Sequence, residues 1–190
     1  MASAPAPPLL LASTSPRRRE ILEQLRIPFD IVAPQYAETE NDPVAHALGK
    51  ARSVLPEADG RPVLGCDTEV ILDTRIYGKP AGPGEAEEML ETLAGRTHEV
   101  VSGLALITPM WEEVRHEVTR VTFRGLTPRD IAAYVASGEW EGRAGGYAIQ
   151  GLGAALVERV EGDYLNVVGL PVGLLVRLLS ERFPGTYGFG

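Results

Sequence analysis

The chain has a single cysteine, Cys66, so no disulfide can close within it and a reducing compartment is the default expectation. It has no apolar run long enough to span a bilayer. The opening MASAPAPPLLLAS lacks a basic stretch, and its apolar run is too short for a secretory signal, so residues 1–8 read as a flexible tail. Basic residues are also short: 18 Lys and Arg against 26 Asp and Glu leave a formal net charge of −8. That balance argues against binding a nucleic-acid polymer, and a phosphate ligand would have to meet a local basic site. No repeat and no low-complexity linker divides the chain, so residues 9–190 read as one domain. The three histidines, His46, His98 and His116, are scattered without metal-ligand spacing and read as structural. What remains is a cytoplasmic globular protein, 44% hydrophobic and 23% charged, long enough to bury a sizeable core.

The stretch that organises the chain is LLLASTSPRRREILEQL, from Leu9 to Leu25. An apolar strand, Leu9 to Ala12, leads through Ser13-Thr14-Ser15 into a helix with Ser15 at the cap and Pro16 at its first position. Arg17, Arg18 and Arg19 crowd the first turn, beside the positive end of the macrodipole, where cations are disfavoured by roughly 0.3–1 kcal/mol each. A solvated arginine run is one explanation. The neighbouring hydroxyl and amide donors favour another, a phosphate chain seated on the helix N-terminus.

Further along, Pro28 to Pro34 predicts a second strand, and Asp42-Pro43 starts a helix that Pro56 stops. Pro62 to Asp67 reads as a buried strand ending at Asp67, and Val70 to Tyr77 as a hairpin about Asp73-Thr74. Glu85 to Ala94 is helical. Val100–Thr108 and Val114–Phe123 form two longer strands, with a bulge expected between Val118 and Val121. Thr127-Pro128-Arg129-Asp130 opens a capped helix. A glycine-rich segment, Gly142 to Gly153, precedes a last expected strand pair, Ala154–Val160 with Tyr164–Val168, and a C-terminal helix from Pro171. Interleaved helices and hairpins indicate an α/β fold with a mixed β-sheet flanked by helices.

Several residues could carry chemistry. Asp67, expected at a strand end, could hold a divalent cation or activate a water; a turn aspartate is the plainer alternative. Lys79, between Gly78 and Pro80, suits a phosphate contact, or is simply a solvated hairpin lysine; no Walker loop surrounds it. Of the acidic loop Glu38, Glu40 and Asp42, the last suits a helix cap and Glu38 is the better metal ligand or base. Gln150, among Gly145, Gly146 and Gly151, can donate and accept in one plane, as reading a base edge requires.

In combination the motifs are far more specific. ASTSPRR with Glu20-Ile21-Leu22, then GCDT, GKP, GRTHEV, AGGYAIQG and GLP stand in the order found in the Maf family, and the chain resembles that family from Leu9 to its last helix. The resemblance implies a nucleoside triphosphate pyrophosphatase with a fold related to inosine-triphosphate pyrophosphatases and a central cleft. It implies a homodimer that depends on a divalent cation, magnesium or manganese, and clears nucleotides with a link to cell-division arrest. By position, Ser13, Arg17 and Arg18 match the phosphate-binding signature, Lys50 the lysine of the second helix, and Asp67 and Lys79 the catalytic pair. Glu38 matches an acidic residue that acts with Asp67 in catalysis or on the metal. Thr68 and Ile149-Gln150-Gly151 resemble the branch acting on dTTP and UTP rather than on 7-methyl-GTP. A nucleotide-binding regulator of septum formation without catalysis is the competing expectation. Cys66, Tyr77, Arg143 and Ala37 depart from the commonest family residues.

Overall fold

The computed structural model describes residues 6–39 and 41–189. Glu40 and most of the expected N-terminal tail, residues 1–5, lie outside the described residues. The elements run β1 (Leu9–Ala12), α1 (Pro16–Gln24), β2 (Phe29–Val32), α2 (Pro43–Val54), β3 (Val63–Leu72), β4 (Arg75–Tyr77), α3 (Pro83–Leu93), β5 (Thr97–Thr108), β6 (Trp111–Phe123), α4 (Pro128–Ala136), β7 (Val157–Glu161), α5 (Tyr164–Val168) and α6 (Val172–Arg182). Among the described residues the strands form one seven-stranded sheet in the order β2-β1-β3-β5-β6-β7, with β4 paired to β3. β1 runs parallel to β2 and β3, whereas β3–β4 and β6–β7 are antiparallel. The sheet is therefore mixed, as the interleaved pattern predicts.

The chain divides into two compact units. Unit 1 comprises Met1–Asp67, Ser102–Glu117 and Gly169–Gly190, and unit 2 comprises Thr68–Val101 and Val118–Val168. In unit 1, residues two apart along each strand share a face. Leu10 and Ala12, Val63, and Ala105 and Ile107 thus pack with Ala47, Ala51 and Val54 of α2 in one buried cluster. α2 starts where the sequence places it, because the Asp42 carboxylate accepts from the N–H groups of Val44 (2.8 Å) and Ala45 (3.1 Å). Ser15 holds the cap position of α1 but makes no side-chain cap bond; its own N–H instead donates to Ser13 Oγ (3.2 Å).

Three expectations need correction. Asp67 is not at a strand end: it is the fifth residue of ten in β3. The polar run Asp67-Thr68-Glu69 looks like a stop, but the ladder Val70↔Tyr77 to Leu72↔Arg75 carries the strand on into the hairpin. Tyr164–Val168 is a short helix, not a strand. Asp163 caps it by accepting from Leu165 and Asn166, and β7 pairs with β6 instead. Five residues, four of them apolar, cannot distinguish the two periods by themselves. Finally, the inward phase of β6 does not shift between Val118 and Val121. Thr119, Val121 and Phe123 are all buried while Val118 faces outward, and the register irregularity against β7 falls at Thr122/Phe123.

Candidate active site

In unit 1 the close approach of α2 to β3 builds the site. An added Cβ on Gly65 would lie 2.1 Å from the Ala47 carbonyl oxygen and 2.9 Å from Ala51 Cβ, so only glycine lets the helix sit this low. Two residues on, Asp67 faces the same way. His46 and Lys50, four apart on α2 and so on one helical face, meet its carboxylate. Lys50 Nζ donates to Asp67 Oδ1 at 2.6 Å, and His46 Nδ1 lies 3.1 Å from Asp67 Oδ2. The same ammonium contacts Glu38 Oε1 at 2.5 Å. Glu38 is half exposed, whereas His46 is 3% exposed.

Tyr36 brings the acidic loop to this place. Its ring lies where a side chain on Gly49 would be, with an added Cβ 2.1 Å from the ring, and it meets the His46 imidazole edge-on at 6.0 Å between centroids. Neither Tyr36 nor His46 was singled out by sequence reasoning as a site residue. Two signals were there to be used: a glycine in mid-helix, which costs about 1 kcal/mol against alanine unless something needs the space, and the four-residue spacing of His46 from Lys50.

Ligand atoms of Glu38, His46 and Asp67 all lie within 4.8 Å of one another. Two carboxylate oxygens that converge on one ammonium also suit a hard divalent cation, so the residues fit the metal that the sequence resemblance implies.

On the other face of β3 a second group forms around Gly169. Its carbonyl accepts from Arg18 Nε at 2.9 Å and from the Cys66 thiol at 3.6 Å. Arg18 Nη1 donates to Ser13 Oγ at 3.2 Å, and a Cβ on Gly169 would come within 3.9 Å of Arg17 Nε. The parallel register Ala12↔Gly65 sets this up, because β1 ends as β3 runs on, leaving Ser13 beside Cys66. Arg18 is thus buried and braced, Arg17 is half-buried, and Arg19 turns away to pair with Glu23 at 3.5 Å on the exposed surface.

In unit 2 Lys79 and Gln150 are exposed and Thr68 is half-buried. The segment bearing Gln150 is pinned at several points. Gly145 N–H donates to the Gly78 carbonyl, next to Lys79, at 3.0 Å. Ala148 N–H donates to Tyr134 Oη at 2.9 Å, and the Glu139 carboxylate accepts from Leu152 (3.1 Å) and Gly153 (3.2 Å). Buried Tyr147 shares a 2.8 Å hydrogen bond with His98 Nε2, and both rings stack edge-on against Phe123.

Burial pushes the His98 imidazole down to about 4 and the Tyr147 phenol above its usual range. The native state therefore holds His98 neutral, while an unfolded chain protonates it near pH 6.5. Its contribution to stability is present in full above about pH 6.5 and is lost as pH falls toward 4, on the order of 3 kcal/mol across that window. Acid titration of chemical unfolding should show this slope, and His98→Asn should flatten it. A slope unchanged in the variant would assign it to other groups.

A family model described as Maf-like protein matches residues 8–182. A protein of Gloeobacter violaceus named dTTP/UTP pyrophosphatase is 51% identical over 181 residues, covering 91% of this chain and 95% of its own. Proteins of the same name from Nitratidesulfovibrio vulgaris and Deinococcus radiodurans are 46% and 44% identical, covering 93% and 100% of this chain and 89% and 100% of theirs.

Proposed function

Because this chain belongs to the Maf family, we propose that it hydrolyses dTTP and UTP to the monophosphate and pyrophosphate. The observation that carries the reading is the Asp67 carboxylate, fixed at both oxygens by α2 and facing the same ammonium as Glu38. Asp67 takes the proton of the water that attacks the α-phosphorus, and Glu38 is the second carboxylate of the set. Arg17, Arg18, Lys50 and Lys79 hold the triphosphate with Ser13; Arg18 does so from a buried position in which Gly169 and Ser13 fix its planar fork. A divalent cation, magnesium or manganese, held by Asp67 and Glu38 would neutralise charge on the phosphate oxygens. The unit acting in this way is a single catalytic domain over residues 9–190, working as a homodimer in the cytoplasm. No described helix is long and apolar enough to cross a membrane.

Thr68 and Gln150 read the pyrimidine. Gln150 stands exposed on a segment whose neighbours are pinned, so the backbone that carries its amide is held in place. Gln150→Ala should leave pyrophosphate release intact while narrowing the gap in kcat/KM between dTTP and dCTP by about 10-fold or more, the value of one or two hydrogen bonds. An unchanged gap would place base recognition elsewhere.

The test of the reading is pyrophosphate release with magnesium and with manganese, over dTTP, UTP, dCTP and 7-methyl-GTP. The proposal expects turnover fastest with dTTP and UTP. Nucleotide binding without pyrophosphate release would make the chain a binding protein, and preference for 7-methyl-GTP would move it to a different substrate class.

A further inference from the structure

We propose that His46 is a positioning residue that aims the Asp67 carboxylate, and that it does so as a hydrogen-bond donor through Nδ1 rather than as a metal ligand through that atom. The inference rests on the proposed pyrophosphatase reading. An ionised carboxylate has only lone pairs to offer, so the 3.1 Å contact between His46 Nδ1 and Asp67 Oδ2 requires the proton on Nδ1. That proton takes up the Nδ1 lone pair. Within the cluster of Glu38, His46 and Asp67, the Nδ1 atom of His46 therefore serves the Asp67 carboxylate and not a cation.

The geometry makes this a two-point grip. Lys50 fixes Oδ1 at 2.6 Å and His46 fixes Oδ2, which together set both the rotation and the plane of the carboxylate. The imidazole is itself held: it is 3% exposed, Tyr36 meets its edge, and α2 is seated against Gly65. A base works only when its lone pair points at the proton it removes, and a displacement of about 1 Å can cost roughly 100-fold. Lys50 alone would leave the carboxylate free to turn about that single contact.

Two polar variants test this without relying on a hydrophobic replacement at a buried site. His46→Asn carries an amide N–H close to the position of Nδ1, whereas His46→Gln carries it near that of Nε2. The proposal expects H46Q to lose roughly 10–100-fold in kcat with KM for dTTP nearly unchanged, the usual cost of removing a group that orients a ligating or reacting side chain. H46N should recover most of that loss, and manganese binding measured by calorimetry should be the same in H46N and wild type. Equal losses in H46N and H46Q, loss of manganese affinity in H46N, or normal kcat in H46Q would each overturn it. If wild type releases no pyrophosphate from any triphosphate, it is the parent reading that fails, and the two failures are separate.

Discussion

Asp67→Asn should lower kcat by roughly 10²–10⁴-fold, the range that a general base contributes, while the protein remains folded. The amide has the same shape but cannot accept protons on both sides. If its oxygen faces Lys50, its NH2 group faces the Nδ1–H of His46, and one of the two contacts that fix the carboxylate is lost. Lys50 keeps Glu38 as a partner, so the cation is not stranded. The expected result is a well-folded protein with dTTP affinity close to wild type and little turnover, measured by circular dichroism, nucleotide titration and pyrophosphate release. Near-normal turnover would remove Asp67 from the chemistry and leave Glu38 as the base.

Gly65→Ala should produce the largest loss of stability of any single-methyl change at the site. The new Cβ would sit 2.1 Å from the Ala47 carbonyl oxygen, and backbone cannot step aside as a flexible side chain can. α2 must rise from β3, at a cost of about 1–3 kcal/mol or more for an overpacked core. For a chain of this size that lowers Tm by roughly 2–12 °C. The same shift carries His46 and Lys50 away from Asp67, so kcat should fall as well. Gly84→Ala is the control: nothing lies within 4 Å of its added Cβ, and it lies in α3, where alanine favours the helix by about 1 kcal/mol. A Gly65→Ala protein as stable and active as wild type would show that the spacing of α2 is not what holds the site together.

Local signals in the sequence were reliable where the structure is decided locally. The strand, serine loop and helix from Leu9, the Asp42 cap, the hairpin about Asp73-Thr74 and the Thr127–Asp130 capping box all form as their residues dictate. The arginines of α1 were conspicuous, yet their division of labour was not. Which of Arg17, Arg18 and Arg19 turns inward depends on where Gly169 arrives, more than 140 residues later. The same limit explains His46. Its four-residue spacing from Lys50 and the mid-helix Gly49 are local hints, but what gives it a partner is the parallel alignment of β1 with β3 and the low seat of α2, which are non-local. Tyr164–Val168 differs for another reason, since so short a run fits either period and the Asp163 cap that decides for a helix lies just outside it. Lys79 and Gln150 stand out in the sequence by their glycine neighbours as well as by the family resemblance, and Thr68 by the resemblance alone; as exposed residues, Lys79 and Gln150 carry no burial pattern that marks them.

The most direct test of the chemistry is hydrolysis of dTTP in water carrying a heavy oxygen isotope, with the products read by phosphorus NMR and mass spectrometry. Attack by an Asp67-activated water on the α-phosphorus puts the label in the nucleoside monophosphate and none in pyrophosphate. Label in pyrophosphate, or release of orthophosphate in its place, would mean that another phosphorus is attacked and would contradict the account.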